Sequence, residues 1–391
     1  IRVLDANGHH VSGARVQVEQ VRHAFLFGCN LFNLEPENPE AWQTQYQRQF
    51  TALFNYATLP FYWGAFEPEA GRPQYARLEQ MARWCTAHGI VAKGHPLIWQ
   101  EVWPGWAPAD PDAAIPLLQR RVETILSRYR GLIRYWDVVN EANSAADHAN
   151  GHGAWVRRDG PVAVVARALE WARKASRGTD NVLIYNDFNV GEAHLALLEG
   201  LQRRRALPDA IGLQSHMHRE LWSPERVWVI MERFARFKKP IHFTEITVVS
   251  GPSPGEWSMQ RPPSVWPTTP EGEREQAEYL ERLYTLLFSH PAVQAITYWD
   301  FSDRNAWLNA PAGLLRADMT PKPAYERLYN LIRRAWWTSA EGRTGSNGQY
   351  TVHAFYGEHR ITVTDAAGRT IAQTVTLRPG RGETRVTMQL R

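Results

Sequence analysis

From about residue 25 to residue 335, short apolar runs alternate with longer stretches in which apolar positions recur every three or four residues. The short runs predict strands at 25–30, 56–61, 91–98, 133–140, 182–186, 210–215, 241–244 and 295–300, because aromatic and β-branched residues dominate them and turn residues flank them. The longer stretches predict helices at 41–54, 75–88, 112–129, 162–176, 192–205, 224–237, 271–288 and 324–334. Pro161, Pro224 and Pro270 stand at or near predicted helix starts, where a missing backbone donor costs little. Strands apolar on both faces belong to a parallel sheet covered by helices. Eight strand-helix units predict an α/β fold, a (β/α)8 TIM barrel rather than an open doubly wound sheet. No glycine-rich phosphate loop follows the first strand, which argues against a dinucleotide site.

At both ends of the chain the pattern changes to strict alternation. Residues 1–22 read as a β-hairpin turning at Asn7-Gly8, and 348–355, 360–364, 371–377 and 383–390 read as four short strands. A hairpin this small does not stand alone. Residues 1–24 are therefore expected to pack with 338–391 as one small β-sandwich module beside a barrel spanning 25–337.

Composition narrows the class. The 391 residues carry a formal charge of +4, lysine occurs only at positions 93, 174, 238, 239 and 322, and arginine is spread along the chain. The one dense basic cluster, Arg203-Arg204-Arg205, falls at a predicted helix end, where cations complement the carbonyl dipole. No arginine-rich run alternates with stacking aromatics, so no nucleic-acid partner is expected. No apolar run is long enough to span a membrane. Cys29 and Cys85 match neither a disulfide framework nor a zinc spacing and read as buried thiols. The chain holds 17 tryptophans, many beside polar residues, where a flat ring can stack on a sugar as readily as fill a core. The chain begins at Ile1, consistent with a trimmed leader and a secreted or periplasmic protein.

The chemistry gathers at the predicted strand ends. Strand three leads to His95, Trp99 and Gln100, strand four to Asn140-Glu141, strand five to Tyr185-Asn186-Asp187, and strand six to Gln214-Ser215-His216. Strand seven leads to Glu245, and strand eight to Trp299-Asp300 with Trp307 beyond. Catalytic groups of such barrels sit at the C-terminal strand ends. Glu141 and Glu245, on strands four and seven, would face each other across the rim. Two carboxyls within about 5 to 5.5 Å suit double displacement at a sugar carbon. Their environments must differ, and Gln214 and His216 are the candidates to set that difference.

The runs Trp136-Asp137-Val138-Val139-Asn140-Glu141-Ala142, Tyr185-Asn186-Asp187-Phe188-Asn189, Gly212-Leu213-Gln214-Ser215-His216, Phe243-Thr244-Glu245 and Pro321-Lys322-Pro323-Ala324-Tyr325 together resemble a family ten glycoside hydrolase, the β-1,4-xylanase family, over roughly residues 25–335. The flanking β segments resemble its plant-type members. The resemblance implies a retaining hydrolysis of β-1,4-linked xylan, with Glu141 as general acid/base and Glu245 as nucleophile. It further implies that Asn140 holds the sugar 2-hydroxyl, that His95 contacts the same sugar, that His216 hydrogen-bonds the nucleophile, and that Trp99, Trp299 and Trp307 form the floor and lid of the glycone side. The expected partner is a plant cell-wall polysaccharide or oligosaccharide bound by a monomer, with no metal and no cofactor.

One stretch departs from the family. After strand two the family carries an acidic-amide pair and then a lysine that bind sugar hydroxyls, whereas this chain reads Thr58-Leu59-Pro60-Phe61-Tyr62-Trp63. Gln100 also follows Trp99 where the family commonly has histidine. Each hydrogen bond so removed is worth about 1 to 3 kcal/mol. Tyr62 becomes a candidate to bind by stacking instead. The alternatives are a retaining β-glycosidase for another β-glycan or a decorated oligosaccharide, and a carbohydrate-binding barrel without turnover.

Overall fold

The computed structural model describes residues 1–252, 255, 261–380 and 382–391, which fall into two compact units, 27–328 and 1–26 with 329–391. In chain order the strands are β1 (Arg2–Leu4), β2 (Arg15–His23), β3 (Leu26–Asn30), β4 (Tyr56–Pro60), β5 (Val91–His95), β6 (Tyr135–Asn140), β7 (Val182–Asp187), β8 (Ala210–Leu213), β9 (His216–Met217), β10 (Ile241–Val248), β11 (Val293–Tyr298), β12 (Ser339–Arg343), β13 (Gly357–Thr364), β14 (Thr370–Leu377) and β15 (Thr387–Gln389).

The larger unit is a (β/α)8 barrel. Its parallel strands run β3-β4-β5-β6-β7-β8-β10-β11, and β11 pairs with both β3 and β10, which closes the ring. Helices Ala41–Leu53, Tyr75–Ala87, Pro111–Arg128, Pro161–Ala175, Glu192–Arg203, Pro224–Ala235, Pro270–Ser289 and Pro323–Asn330 follow the strands. Each presents one apolar face: Val164, Val165, Ala168, Leu169, Trp171 and Ala172 are the buried positions of Pro161–Ala175. Pro161, Pro224 and Pro270 are each the first helical residue, and Ser223 and Thr269 cap their helices by accepting from Arg226 N–H and Gly272 N–H. Gly94 of β5 is required by its neighbour, since a Cβ there would meet the Trp136 ring of β6 at 2.2 Å.

Strand ends differ from expectation by a few residues, and one difference matters. β10 was expected to stop at Thr244 but continues to Val248. It leaves β8 after Phe243 and pairs beyond Glu245 with the short β9, so Glu245 lies within the strand at a register shift. A helix that the periodicity did not show, Gly151–Asp159, starts on an Asn150 cap.

The smaller unit contains a four-stranded antiparallel sheet, β12-β2-β13-β14, and a two-stranded parallel one, β1-β15. Val3, Val16, Val18, Ile361, Val363, Met388 and Leu390 form one core drawn from both sheets. The expected hairpin of 1–22 is corrected in its second arm: the chain does turn at Asn7-Gly8 and Leu4 bridges His10 antiparallel, but β2 does not pair with β1, which adds to β15 while β2 lies between β12 and β13. The expected strand at 348–355 is reduced to a single antiparallel bridge, Gln349 with Arg2. Tyr350 and Val352 pack onto the core from irregular backbone, and the polar Ser339–Arg343 forms the ladder with β2. Both cysteines are free and buried. Among the described residues no helix is long and apolar enough to cross a membrane.

Candidate active site

Glu141 follows the last residue of β6 with φ +56°, a left-handed conformation that non-glycine residues rarely adopt and that recurs at functional sites. Its N–H donates to Asn186 O at 2.9 Å, which fixes the turn against the next strand. Glu245 is fixed on the opposite side by donation of its N–H to Gln214 O at 3.0 Å. Both carboxyls open into one cavity of about 910 Å³ at the C-terminal end of the barrel. Tyr62, His95, Trp99, Gln214, His216, Trp299 and Trp307 line it as well. Asn140, only 1% exposed, is not among the residues that line the cavity and donates through its amide to Glu141 alone of the two carboxyls.

The two carboxyls are held by different kinds of partner. Glu141 accepts from neutral donors: Gln214 Nε2 to Oε1 at 2.6 Å, Asn140 Nδ2 to Oε1 at 3.1 Å, and Trp99 Nε1 to Oε2 at 3.0 Å. Gln100 Nε2 reaches the backbone oxygen of Glu141 at 3.4 Å and Ser144 Oγ at 3.1 Å. Glu245 accepts from Asn186 Nδ2 at 2.7 Å, but its other neighbours are imidazoles, His216 Nε2 at 3.1 Å and His95 Nε2 at 3.8 Å. Asn186 Nδ2 also donates to Asn140 Oδ1 at 2.8 Å, so a chain of amides joins the two sites.

These surroundings separate the two charge states. Burial pushes the Glu141 carboxyl up to about 8, and the bonds from Gln214 and Trp99 only partly oppose it. Burial presses on Glu245 in the same sense, yet His95, His216 and Lys93 outweigh it and hold that carboxyl below its ordinary value of 4.5. One group keeps its proton through neutrality while the other carries a negative charge, the division needed for a proton donor beside a nucleophile.

Beneath His95 the strands hold a buried ion pair. Asp137, in the middle of β6, accepts from Lys93 Nζ and from His95 Nδ1, both at 2.7 Å. Burial would raise the Asp137 carboxyl, but Lys93 and His95 bring it below the usual range. A strand buried on both faces thus does carry a charge in its middle, provided the next strand supplies the counterion. This orienting layer went unread in the sequence, as did the bridging role of Asn186. Asp300 is buried, takes Trp307 N–H at 3.0 Å and is raised by burial to about 7. Among the described residues no group of three His, Cys, Asp or Glu side chains is arranged to hold a metal ion.

Aromatic side chains wall the rim from β11 to β5. Phe32 stands edge-on to Trp299 at 5.3 Å and to Tyr62 at 5.7 Å, and Tyr62 lies 5.4 Å from Trp99. Trp307 closes over His216 at 4.7 Å. A sugar ring has flat apolar faces and a polar edge, which such a wall with carboxyls at its foot can accommodate.

The chain is 27% identical over 325 residues to endo-1,4-beta-xylanase B of Thermotoga neapolitana, covering 79% of this chain and 87% of that one. It is 25% identical to the anti-sigma-I factor RsgI6 of Acetivibrio thermocellus, covering 100% of this chain and 48% of that protein. Among solved structures, xylanase 10B of Thermotoga petrophila RKU-1 in complex with xylobiose superposes with a TM-score of 0.65 at 23% identity, over 80% of this chain and 95% of that one. The family model "Glycosyl hydrolase family 10" matches residues 19–331, and the chain belongs to that family of glycoside hydrolases.

Proposed function

We propose that this protein is a retaining glycoside hydrolase that cleaves β-1,4-linked xylan. Glu245 attacks the anomeric carbon while Glu141 protonates the departing oxygen. Glu141, now ionised, then draws a proton from the water that releases the sugar from Glu245, so the anomeric configuration is retained over two displacements. Asn140, braced by Asn186 and Gln214, would meet the sugar 2-hydroxyl beside the nucleophile. His95 and His216 favour the ionised nucleophile, and Trp99, Trp299 and Trp307 support the rings.

The observation that carries this reading is two buried carboxyls opening into one cavity, one held by amides and an indole and the other by an amide and two imidazoles. The xylanase relatives support xylan as the polymer, which goes with a monomer acting outside the cell or in the periplasm on plant cell-wall material. Reducing ends released from xylan, lost in Glu245→Gln, and β-configured first products by NMR are the expected results. Initial α products would overturn the retaining mechanism. Release from mixed-linkage glucan but not from xylan or arabinoxylan would overturn the substrate.

A second reading has one observation in its favour: a relative named as an anti-sigma factor aligns with the whole chain. In it the barrel binds a glycan without turning it over. Glycan binding by the wild type with no product on any xylan, glucan or aryl glycoside would favour it over hydrolysis.

A further inference from the structure

Asn30 ends β3 with 6% of its surface exposed, and it lines the same cavity as the two glutamates. Its side-chain amide makes no hydrogen bond among the described residues. Tyr62, after β4, is the second such group: its ring is packed edge-on to Phe32 and His95 and tilted on Trp99, while its hydroxyl faces the cavity without a partner among the described residues. Other polar groups of this sector have partners within the fold: His95 is tied to Asp137, Asn33 donates to Arg304 O, and Asp300 accepts from the Trp307 N–H through Oδ1, although its Oδ2 is buried without a partner among the described residues. Buried amides almost always find partners within the fold, so one left open toward a ligand cavity calls for a partner from outside.

We propose that the Asn30 amide and the Tyr62 hydroxyl form a neutral clamp for the sugar on the glycone side of Glu141 and Glu245, replacing the acidic-amide-lysine group that this chain lacks. The amide can donate to one hydroxyl and accept from its neighbour, and the phenol can do either. The clamp therefore suits vicinal hydroxyls of an uncharged sugar held against the Phe32 wall. A uronic acid is disfavoured there, because its carboxylate would share the cavity with the ionised Glu245 and meet no cation in the clamp.

The inference rests on the hydrolase reading, so the test starts from whichever aryl β-glycoside of a neutral sugar the wild type cleaves. Asn30→Ala and Tyr62→Phe are expected to lower kcat/KM on that substrate by about 10- to 100-fold each. Their melting temperatures should stay at the wild-type value, since neither removed group has a partner among the described residues. Asn30→Asp, which keeps an acceptor but loses the donor, should recover only part of the loss. Wild-type kcat/KM in both variants would overturn the clamp while leaving the hydrolase reading intact, and so would a fall in melting temperature that tracks the lost activity. If the wild type cleaves no glycoside, the hydrolase reading fails, and calorimetric titration with xylobiose still decides the clamp: equal affinity in wild type and Asn30→Ala overturns it.

Discussion

Glu141 and Glu245 are the same side chain, 8% and 4% exposed, opening into the same cavity, yet one is raised and the other lowered. The difference lies in whether the donors carry charge. Glu141 meets amides and an indole, whose dipoles stabilise a carboxylate less than the lost water did. Glu245 meets the Asn186 amide as well, but its other neighbours are two imidazoles with the Lys93-Asp137 pair beyond, and the pull of His95, His216 and Lys93 offsets the same burial. Depth in the barrel thus sets the common penalty, and the neighbouring strand decides whether it is met.

The most severe way to break this comparison is to neutralise the charged member. Glu245→Gln keeps the shape and removes the proposed nucleophile, and kcat should fall by about 10⁴-fold or more on every substrate. Glu141→Ala removes only proton transfer. On xylan it should cost about 10²- to 10⁴-fold. On an aryl glycoside whose leaving group needs no proton, the first step should survive and added azide should restore turnover. Equal losses on both substrates, with no azide rescue, would mean that Glu141 is not the acid.

A subtler change moves the charge states. The pH profile of kcat/KM should fall on the alkaline side near pH 8, as Glu141 loses its proton, and on the acid side below the ordinary glutamate value of 4.5, as Glu245 gains one. His216→Ala removes the bond at 3.1 Å to Glu245 and leaves burial less opposed, so the acid limb should move to higher pH. The alkaline limb should stay in place. Movement of the alkaline limb alone would show that the histidine acts on the other carboxyl.

How much of this was legible follows from what each feature depends on. The eight strand-helix units could be read because both periods are local, and Glu141 could be placed because an amide-carboxylate pair closing an apolar run belongs at a strand mouth. Glu245 was placed by the same rule, although its strand runs on to Val248, because pairing with His216-Met217 is a property of two segments together. The terminal strands misled for a related reason. Ser339–Arg343 is polar and unremarkable until it lies against β2, more than 300 residues away in sequence, and Tyr350-Thr351-Val352 alternates like a strand but its backbone pairs only briefly, Tyr350 with Ile1, before its side chains pack onto the core. Charge states were least legible. Lys93, Asp137 and His95 come from two strands, and no motif says that the first two neutralise each other beneath the third.

The smallest expected effect tests the comparison without any substrate, through stability. Glu141 keeps its proton in the folded protein up to about pH 8 but loses it near 4.5 when unfolded, so its contribution is fully present below pH 4.5 and is lost as pH rises toward 8. Glu245 is the reverse: its folded value lies below 4.5, so its contribution is present above that pH and is lost as pH falls through the folded value. Substitution by glutamine removes each dependence. The melting temperature of Glu141→Gln should therefore gain on the wild type between pH 5 and 8, by a few degrees at about 2 °C per kcal/mol. That of Glu245→Gln should lie below the wild type at pH 7 and approach it only in acid. Parallel shifts of the two variants with pH would mean that the two sites do not differ in the way their partners require.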